Sequence, residues 1–68
     1  MVKNINQSNL IDYIISYESG DLSEQDTLKL FSYLIKTKMC WNLQGHYGRV
    51  AISLIENNII NKNGEVLI

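Results

Sequence analysis

Apolar residues recur at helical spacing in three segments of the chain. The first segment predicts a helix over 9–19, because its apolar positions follow an i, i+1, i+4, i+5 pattern. These positions are Leu10, Ile11, Ile14 and Ile15, and Tyr17 continues the segment. Ser8 or Asn9 suits the N-cap, and Gly20 suits the left-handed position that follows a helix.

The second segment predicts a helix over 23–37. Ser23 and Asp26 form an S-x-x-D capping pattern directly before an apolar run. The wide apolar face that follows consists of Leu28, Leu30, Phe31, Leu34 and Ile35. Lys36 and Lys38 lie near the C-terminal end, where cations complement the helix dipole.

The third segment predicts a helix over 46–57, with apolar spacing of i, i+3, i+4, i+7 and i+8. The positions are Tyr47, Val50, Ala51, Leu54 and Ile55. Asn58 suits the left-handed position, with Ile59 folding back onto Leu54 as in a Schellman cap. We expect a core of Ile14, Leu28, Phe31, Leu34, Ile35, Val50, Leu54 and Ile55.

Residues 59–68 predict a short β-hairpin. Asn63-Gly64 is a strong signal for a type I′ turn, and apolar residues flank it on both sides. An isolated hairpin is marginal in water, so it has to pack on the helices or pair with another chain. The predicted fold class is therefore mainly α: one domain over 1–68, with three helices, a C-terminal hairpin and a polar N-terminal arm over 1–8.

Composition narrows the ways in which so small a domain is stabilised. The chain has 68 residues, with one cysteine, Cys40, and one histidine, His46. An intrachain disulfide and a structural zinc set are both excluded, and we expect no cofactor. Regular helix packing or self-association remains, so we expect a homo-oligomer, most simply a symmetric dimer.

Charge and hydropathy bear on location and partners. No apolar run approaches the roughly 20 residues that span a bilayer, and the N-terminus lacks the apolar region of a signal peptide. We therefore expect a cytoplasmic protein without membrane contact. The net charge of −1 makes nucleic acid a possible partner but a less favoured one, because duplex-binding modules are usually basic.

One stretch, 41–49, concentrates unusual residues: the single Trp, His and Arg and two of the four glycines. It precedes the third predicted helix, where free backbone N–H groups and the Arg49 guanidinium suit an anion or a carboxylate. The candidate binding residues are Trp41, Gln44, Gly45, His46, Tyr47, Gly48 and Arg49.

A structural interpretation of the same stretch stands beside this one. Trp41 and Tyr47 would close one end of the core, and Arg49 would pair with an acid such as Asp21 or Glu18. No nucleophile accompanies His46 in a recognisable pattern. We expect Cys40 to be a small buried hydrophobic residue. We therefore expect no enzymatic activity.

Two nucleic-acid motifs match weakly. The sequence Gly45-His46-Tyr47-Gly48 has the G-x-x-G form of the KH clamp, but its inner residues lack a basic side chain. The connection between the second and third predicted helices runs to about eight residues, against the 3–4 of a helix-turn-helix motif.

Over about residues 13–60 the chain resembles a family of very small proteins encoded by tailed bacteriophages. Three strings carry the resemblance: Tyr17-Glu18-x-Gly20-x-Leu22-Ser23, Leu30-Phe31-x-x-Leu34-Ile35-x-Thr37, and Trp41-x-Leu43-Gln44-Gly45-x-Tyr47-Gly48-Arg49 followed by Ala51, Leu54, Ile55 and Glu56. The family often has glycine where this chain has Asn58, which agrees with a helix end at that position. It also often has glycine where this chain has Lys38, so the second helix is expected to run slightly longer here.

The resemblance implies a phage accessory protein made in the host bacterial cytoplasm, and no particular activity. We expect a non-enzymatic protein that binds and modulates a host or phage protein, since Trp, Tyr and Arg are enriched at binding hot spots. Two alternatives stay open: a nucleic-acid-binding module that uses the Gly45–Arg49 loop, and a minor virion component.

Overall fold

The computed structural model describes residues 5–68 and is mainly helical, as predicted. Helix α1 spans Leu10–Glu18, α2 spans Glu24–Lys36 and α3 spans Gly45–Glu56. A single 3₁₀ turn, Met39–Trp41, lies between α2 and α3. The predicted helix boundaries are therefore correct to within about one residue.

The caps predicted for α1 and α2 explain where these helices begin and end. Asn9 occupies the N-cap of α1, although its side chain accepts the N–H of Asn6, at 2.8 Å, instead of capping the first turn. Gly20 ends α1 in the left-handed region, with φ +78°. The Ser23 hydroxyl accepts the N–H of Asp26 at 3.2 Å, as the capping pattern predicts.

The end of α3 is a Schellman motif, as the sequence predicts. Asn58 has φ +59°. The N–H of Ile59 donates to the Leu54 carbonyl at 3.0 Å, and the N–H of Asn58 donates to the Ile55 carbonyl at 3.1 Å. These two bonds satisfy carbonyls that would otherwise have no partner at the helix end.

The prediction of a longer second helix is wrong. Helix α2 ends at Lys36, and Lys38 lies in the left-handed region with φ +63°. Its N–H donates to the Ile35 carbonyl at 3.0 Å, which closes the helix. This conformation costs a residue with a Cβ about 1–2 kcal/mol of stability, yet Lys38 adopts it just as a glycine would.

The core differs in membership from the predicted one. Among the eight predicted core residues, Phe31, Leu34 and Ile35 are fully buried. The other five are half-buried at the rim: Ile14, Leu28, Val50, Leu54 and Ile55. The remaining buried apolar residues are Leu10, Leu30, Cys40, Tyr47, Ala51 and Ile60. Three short helices enclose only the centre of each apolar face, because a domain of this size has little interior.

The predicted C-terminal hairpin is wrong. Residues 5–68 contain no strand, and the tail over 59–68 holds one isolated antiparallel bridge, between Ile60 and Val66. A type I′ turn needs positive φ at both central residues. Gly64 has φ +88°, but Asn63 does not have a positive φ.

The side chain of Asn61 organises the turn instead. Its Oδ1 accepts the N–H groups of Asn63 and Glu65, both at 2.9 Å. The backbone of Asn61 also pairs with Gly64 and Glu65. Gly64 packs directly on α2, where Ser32 donates a hydrogen bond to the Gly64 carbonyl. The tail is therefore held by a turn and by α2 in place of a strand ladder.

The predicted N-terminal arm lies partly outside the described residues, which begin at position 5. Residues 7–9 form a turn before α1, and Ile5 packs against the core. Within the described part of the chain, no helix has the length and apolarity that crossing a membrane requires.

Candidate functional site

Most of the stretch over 41–49 is helical. The 3₁₀ turn ends at Trp41, and α3 already begins at Gly45. The predicted Gly45–Arg49 loop is therefore the start of a helix, and its buried Tyr47 is turned into the core. Because the four residues of the G-x-x-G sequence are helical, they do not form an exposed clamp loop. The connection from α2 to α3 covers residues 37–44, which agrees with the predicted length.

Two of the predicted binding residues, His46 and Tyr47, belong to an aromatic cluster with Tyr17 and Phe31. The Tyr17 ring packs edge-on against Phe31, with centroids 5.4 Å apart. Tyr47 stacks on Phe31 at 6.0 Å, and His46 stacks on Tyr17 at 5.7 Å. The cluster joins all three helices, because its members come from α1, α2 and α3.

Two polar contacts join α1 to the first turn of α3. The Tyr17 hydroxyl lies 2.6 Å from Nε2 of His46. The Tyr47 hydroxyl donates to Oε2 of Glu18 at 2.7 Å. Burial, followed by the charge of Glu18, raises the pKa of Tyr17. Burial raises the pKa of Tyr47 strongly, and its hydrogen bond to Glu18 adds to the effect. Tyr47 is thus part of the core, as the structural interpretation expects, whereas His46 is exposed.

Trp41 and Gly48 are packed together at the surface. The Trp41 side chain is 49% exposed. A Cβ atom added to Gly48 would lie 3.6 Å from Cε3 of Trp41 and 3.7 Å from the Cys40 carbonyl. The indole thus lies on the helix backbone at Gly48, with its other side facing solvent. The expectation that Trp41 closes the core is only half correct.

Arg49 is exposed, and its guanidinium forms no hydrogen bond or ion pair within residues 5–68. The structural interpretation, in which Arg49 pairs with an acid such as Asp21 or Glu18, is therefore wrong for this residue. One guanidinium nitrogen of Arg49 lies 3.7 Å from the Cβ position of Gly45, so the side chain runs back along α3.

Gln44 is exposed and occupies the N-cap of α3, where its side chain makes no capping hydrogen bond. Its carbonyl accepts the N–H of Tyr47 at 2.9 Å. No acidic residue lies in the first turn of α3. Gln44 therefore begins the helix through its backbone, and its side chain stays available to solvent.

Trp41 lies against Gly48, and the α3 positions that share a helix face with Gly48 define, together with Trp41, a surface that we call the Trp41 patch. Ile52 belongs to it, because it is one turn after Gly48 and Arg49 on α3 and is 47% exposed. The patch consists of Trp41, Gly45, Gly48, Arg49 and Ile52. Sequence reasoning missed Ile52, although its place outside the apolar i, i+3, i+4 pattern of α3 was a usable signal.

Charge is unevenly distributed along the sequence. Residues 27–55 contain Lys29, Lys36, Lys38 and Arg49 but no Asp or Glu, in a chain with a net charge of −1. Lys29 lies 3.7 Å from Asp26 and forms the one ion pair of the described residues. Lys38 is the cation closest in sequence to Trp41, and Arg49 is the one closest to Gly48. Neither forms an ion pair within residues 5–68.

The remaining reactive groups lie elsewhere. Cys40 is buried, as predicted, and burial raises the pKa of its thiol, which disfavours the nucleophilic thiolate. Within residues 5–68, no three side chains of the metal-binding types His, Cys, Asp and Glu are grouped so that they could hold an ion.

A surface groove of about 480 Å³ lies against α2. It is lined by Ile5, Lys29, Ser32, Tyr33, Lys36 and Val66. None of the predicted binding residues contributes to it, and the Ser32 hydroxyl is already engaged by the Gly64 carbonyl. The groove and the Trp41 patch are therefore separate features of the surface.

Comparison with known proteins gives a family assignment. No curated protein and no solved structure matches the chain. A family model does match, over residues 6–68, and it describes a domain of unknown function, DUF7417. Because the match spans nearly the whole chain, including every helix and the Trp41 patch, the protein belongs to the DUF7417 family.

Proposed function

We propose that this protein is a non-enzymatic accessory protein of a tailed bacteriophage that binds and modulates a host or phage protein in the bacterial cytoplasm. The phage and cytoplasmic parts of the proposal rest on the sequence resemblance over residues 13–60. The binding part rests on the Trp41 patch.

The observation that carries the proposal is that Trp41 and Arg49 face solvent together. Trp41 keeps half of its surface exposed, and Arg49 has no partner among residues 5–68. Trp and Arg are among the residue types most enriched at binding hot spots. Neither side chain is fully used by the fold, so both are available to a partner.

The absence of catalysis is part of the proposal. Of the side chains that commonly act in catalysis, His46 contacts Tyr17, Tyr47 contacts Glu18 and Cys40 is buried. General acid–base and nucleophilic catalysis need such groups to face a substrate.

A pull-down with matched variants tests the proposal. Tagged wild type, Trp41→Ala and the control Gln25→Ala would be exposed to lysates of host cells and of infected cells. Gln25 is a suitable control because it is exposed in the first turn of α2 and belongs neither to the patch nor to the apolar surfaces. We expect wild type and Gln25→Ala to retain the same protein, and Trp41→Ala to lose it while melting cooperatively. Failure of wild type to retain any protein above background in either lysate would contradict the proposal.

A second candidate function, nucleic-acid binding, is favoured by the acid-free stretch over 27–55. Binding to single-stranded and duplex probes should then weaken steeply with salt, because phosphate contacts release counterions. No binding at low salt would remove this candidate. The third possibility, a minor virion component, predicts that the protein co-purifies with phage particles.

A further inference from the structure

We infer that the Trp41 patch binds an acidic protein segment, in which carboxylates contact Lys38 and Arg49 and an apolar side chain contacts Trp41 and Ile52. This inference rests on the proposed function and adds the chemistry of the partner.

Two cations, Lys38 and Arg49, lie next to Trp41 or to the helix position that it covers. Lys38 begins the turn that carries Trp41, whose N–H donates to the Lys38 carbonyl at 3.3 Å. Arg49 follows Gly48, on which the indole lies. One unpaired cation therefore comes before Trp41 in the turn, and the other lies next to the helix position that Trp41 covers.

Arg49 has no acid as a partner within residues 5–68. No acid occurs in residues 27–55, and the next acid along α3, Glu56, is seven residues after Arg49, about 10 Å along the helix. Glu18, from α1, reaches the first turn of α3, where it accepts the Tyr47 hydroxyl. A neutral partner would desolvate Arg49 without replacing its water, which is costly. A carboxylate restores the lost interactions and fits the planar guanidinium through two hydrogen bonds.

An apolar contact favours a protein over a nucleic acid as the partner. Trp41 and Ile52 are each about half exposed, so roughly half of each apolar side chain is available for contact. Acids also crowd the first part of the chain, at Asp12, Glu18, Asp21, Glu24 and Asp26, and the net charge is −1. A long polyanion is usually bound by a clearly basic protein.

The backbone at Lys38 agrees with a role outside folding. Lys38 has φ +63°, a conformation in which glycine would be unstrained. A lysine at this position costs stability, and within residues 5–68 it gains no ion pair in return. Strain of this kind is often found at functional positions.

The experiment uses three synthetic eight-residue peptides in which Leu alternates with Glu, Gln or Lys. Fluorescence of Trp41, the single tryptophan, reports binding at the patch directly. We expect the Glu peptide to bind at least about tenfold more tightly than the Gln peptide. The charge-reversed double variant K38E/R49E should instead prefer the Lys peptide.

The matched control is K29E/K36E, which changes the net charge by the same amount within the same acid-free stretch. It should keep the preference for the Glu peptide. Equal affinity for all three peptides, or no binding of any, would overturn the inference. So would equal losses in the two double variants, because the effect would then reflect net charge alone. Tighter binding of an oligothymidylate than of the Glu peptide would overturn it in favour of a nucleic acid.

The pull-down separates this inference from the proposed function. A protein retained equally by wild type and K38E/R49E, but lost by Trp41→Ala, would overturn the acidic-partner inference and leave the proposed function intact. Failure of wild type to retain any protein would remove the proposed function itself.

Discussion

The hydroxyl of Tyr47 donates a 2.7 Å hydrogen bond to Oε2 of Glu18, which joins the start of α3 to the last residue of α1. The Tyr47 ring is buried in the aromatic cluster, and the Glu18 carboxylate lies at the surface. The pair therefore links the core to the helix turn that carries the Trp41 patch. The contact therefore helps to fix the start of α3 against the end of α1.

This contact predicts a loss of stability in alkaline solution. Burial and Glu18 raise the pKa of Tyr47 above the ordinary tyrosine value of about 10, and burial raises that of Tyr17 as well. A group whose pKa is higher in the folded protein stabilises it fully below the unfolded pKa. That stabilisation is lost as the pH rises above about 10.

Urea denaturation between pH 8 and pH 11 would measure the effect. We expect the unfolding free energy of wild type to fall above about pH 10, and to fall less steeply in Tyr47→Phe. An identical fall in both proteins would contradict the assignment to Tyr47. Absorbance of tyrosinate in the folded protein gives an independent check.

Two glycines with positive φ should respond differently to alanine. Gly20, with φ +78°, has open space where a Cβ would lie, so Gly20→Ala should cost only the strain, about 1 kcal/mol. At Gly64, with φ +88°, a Cβ would lie 2.7 Å from the Ser32 carbonyl oxygen. Gly64→Ala should therefore cost roughly 2–4 kcal/mol. Equal shifts of the urea midpoint would show that the tail does not pack on α2 as described.

Replacing Lys38 should stabilise the protein. Lys38→Gly removes the left-handed strain at the end of α2, and we expect a gain of about 0.5–1 kcal/mol in thermal or urea unfolding. Lys29→Gly is the contrasting variant, because Lys29 lies in the middle of α2. Glycine there should cost about 1 kcal/mol. Destabilisation by Lys38→Gly would mean that the lysine side chain supports the fold.

Self-association is expected at the surfaces that the fold leaves apolar. Val66, Leu67 and Ile68 remain 41–81% exposed in the tail, and Ile11 and Ile15 are more than half exposed on α1. Burying either surface in a symmetric dimer would remove apolar area from water. Light scattering at high micromolar concentration should detect a dimer that Leu67→Lys or Ile15→Lys weakens. A monomer under all these conditions would contradict the expectation.

The helices were predictable because their signals are local. Ser23 with Asp26, Gly20 and Asn58 each fix a helix end through contacts within a few residues, and the apolar spacing supplies the rest. The fold class could therefore be derived without knowledge of distant contacts.

The tail and the site were less predictable because they depend on tertiary contacts. Asn63-Gly64 favours a type I′ turn in isolation, but Asn61 and the packing of Gly64 on α2 select another turn. Similarly, neighbouring residues of 41–49 differ in burial, which the sequence does not show. Contacts with α1 and α2 bury Tyr47 in the aromatic cluster, whereas Arg49, two residues later, remains in solvent.

The most direct test combines thermal melting and partner binding of Arg49→Ala. Arg49 is exposed and forms no ion pair within residues 5–68, so its removal should change stability by no more than about 0.5 kcal/mol. We predict an unchanged melting temperature together with loss of the protein that wild type retains. A collapse of the melting temperature would show that Arg49 supports the fold. Unchanged melting with unchanged binding would contradict the account, because Arg49 would then take no part in binding.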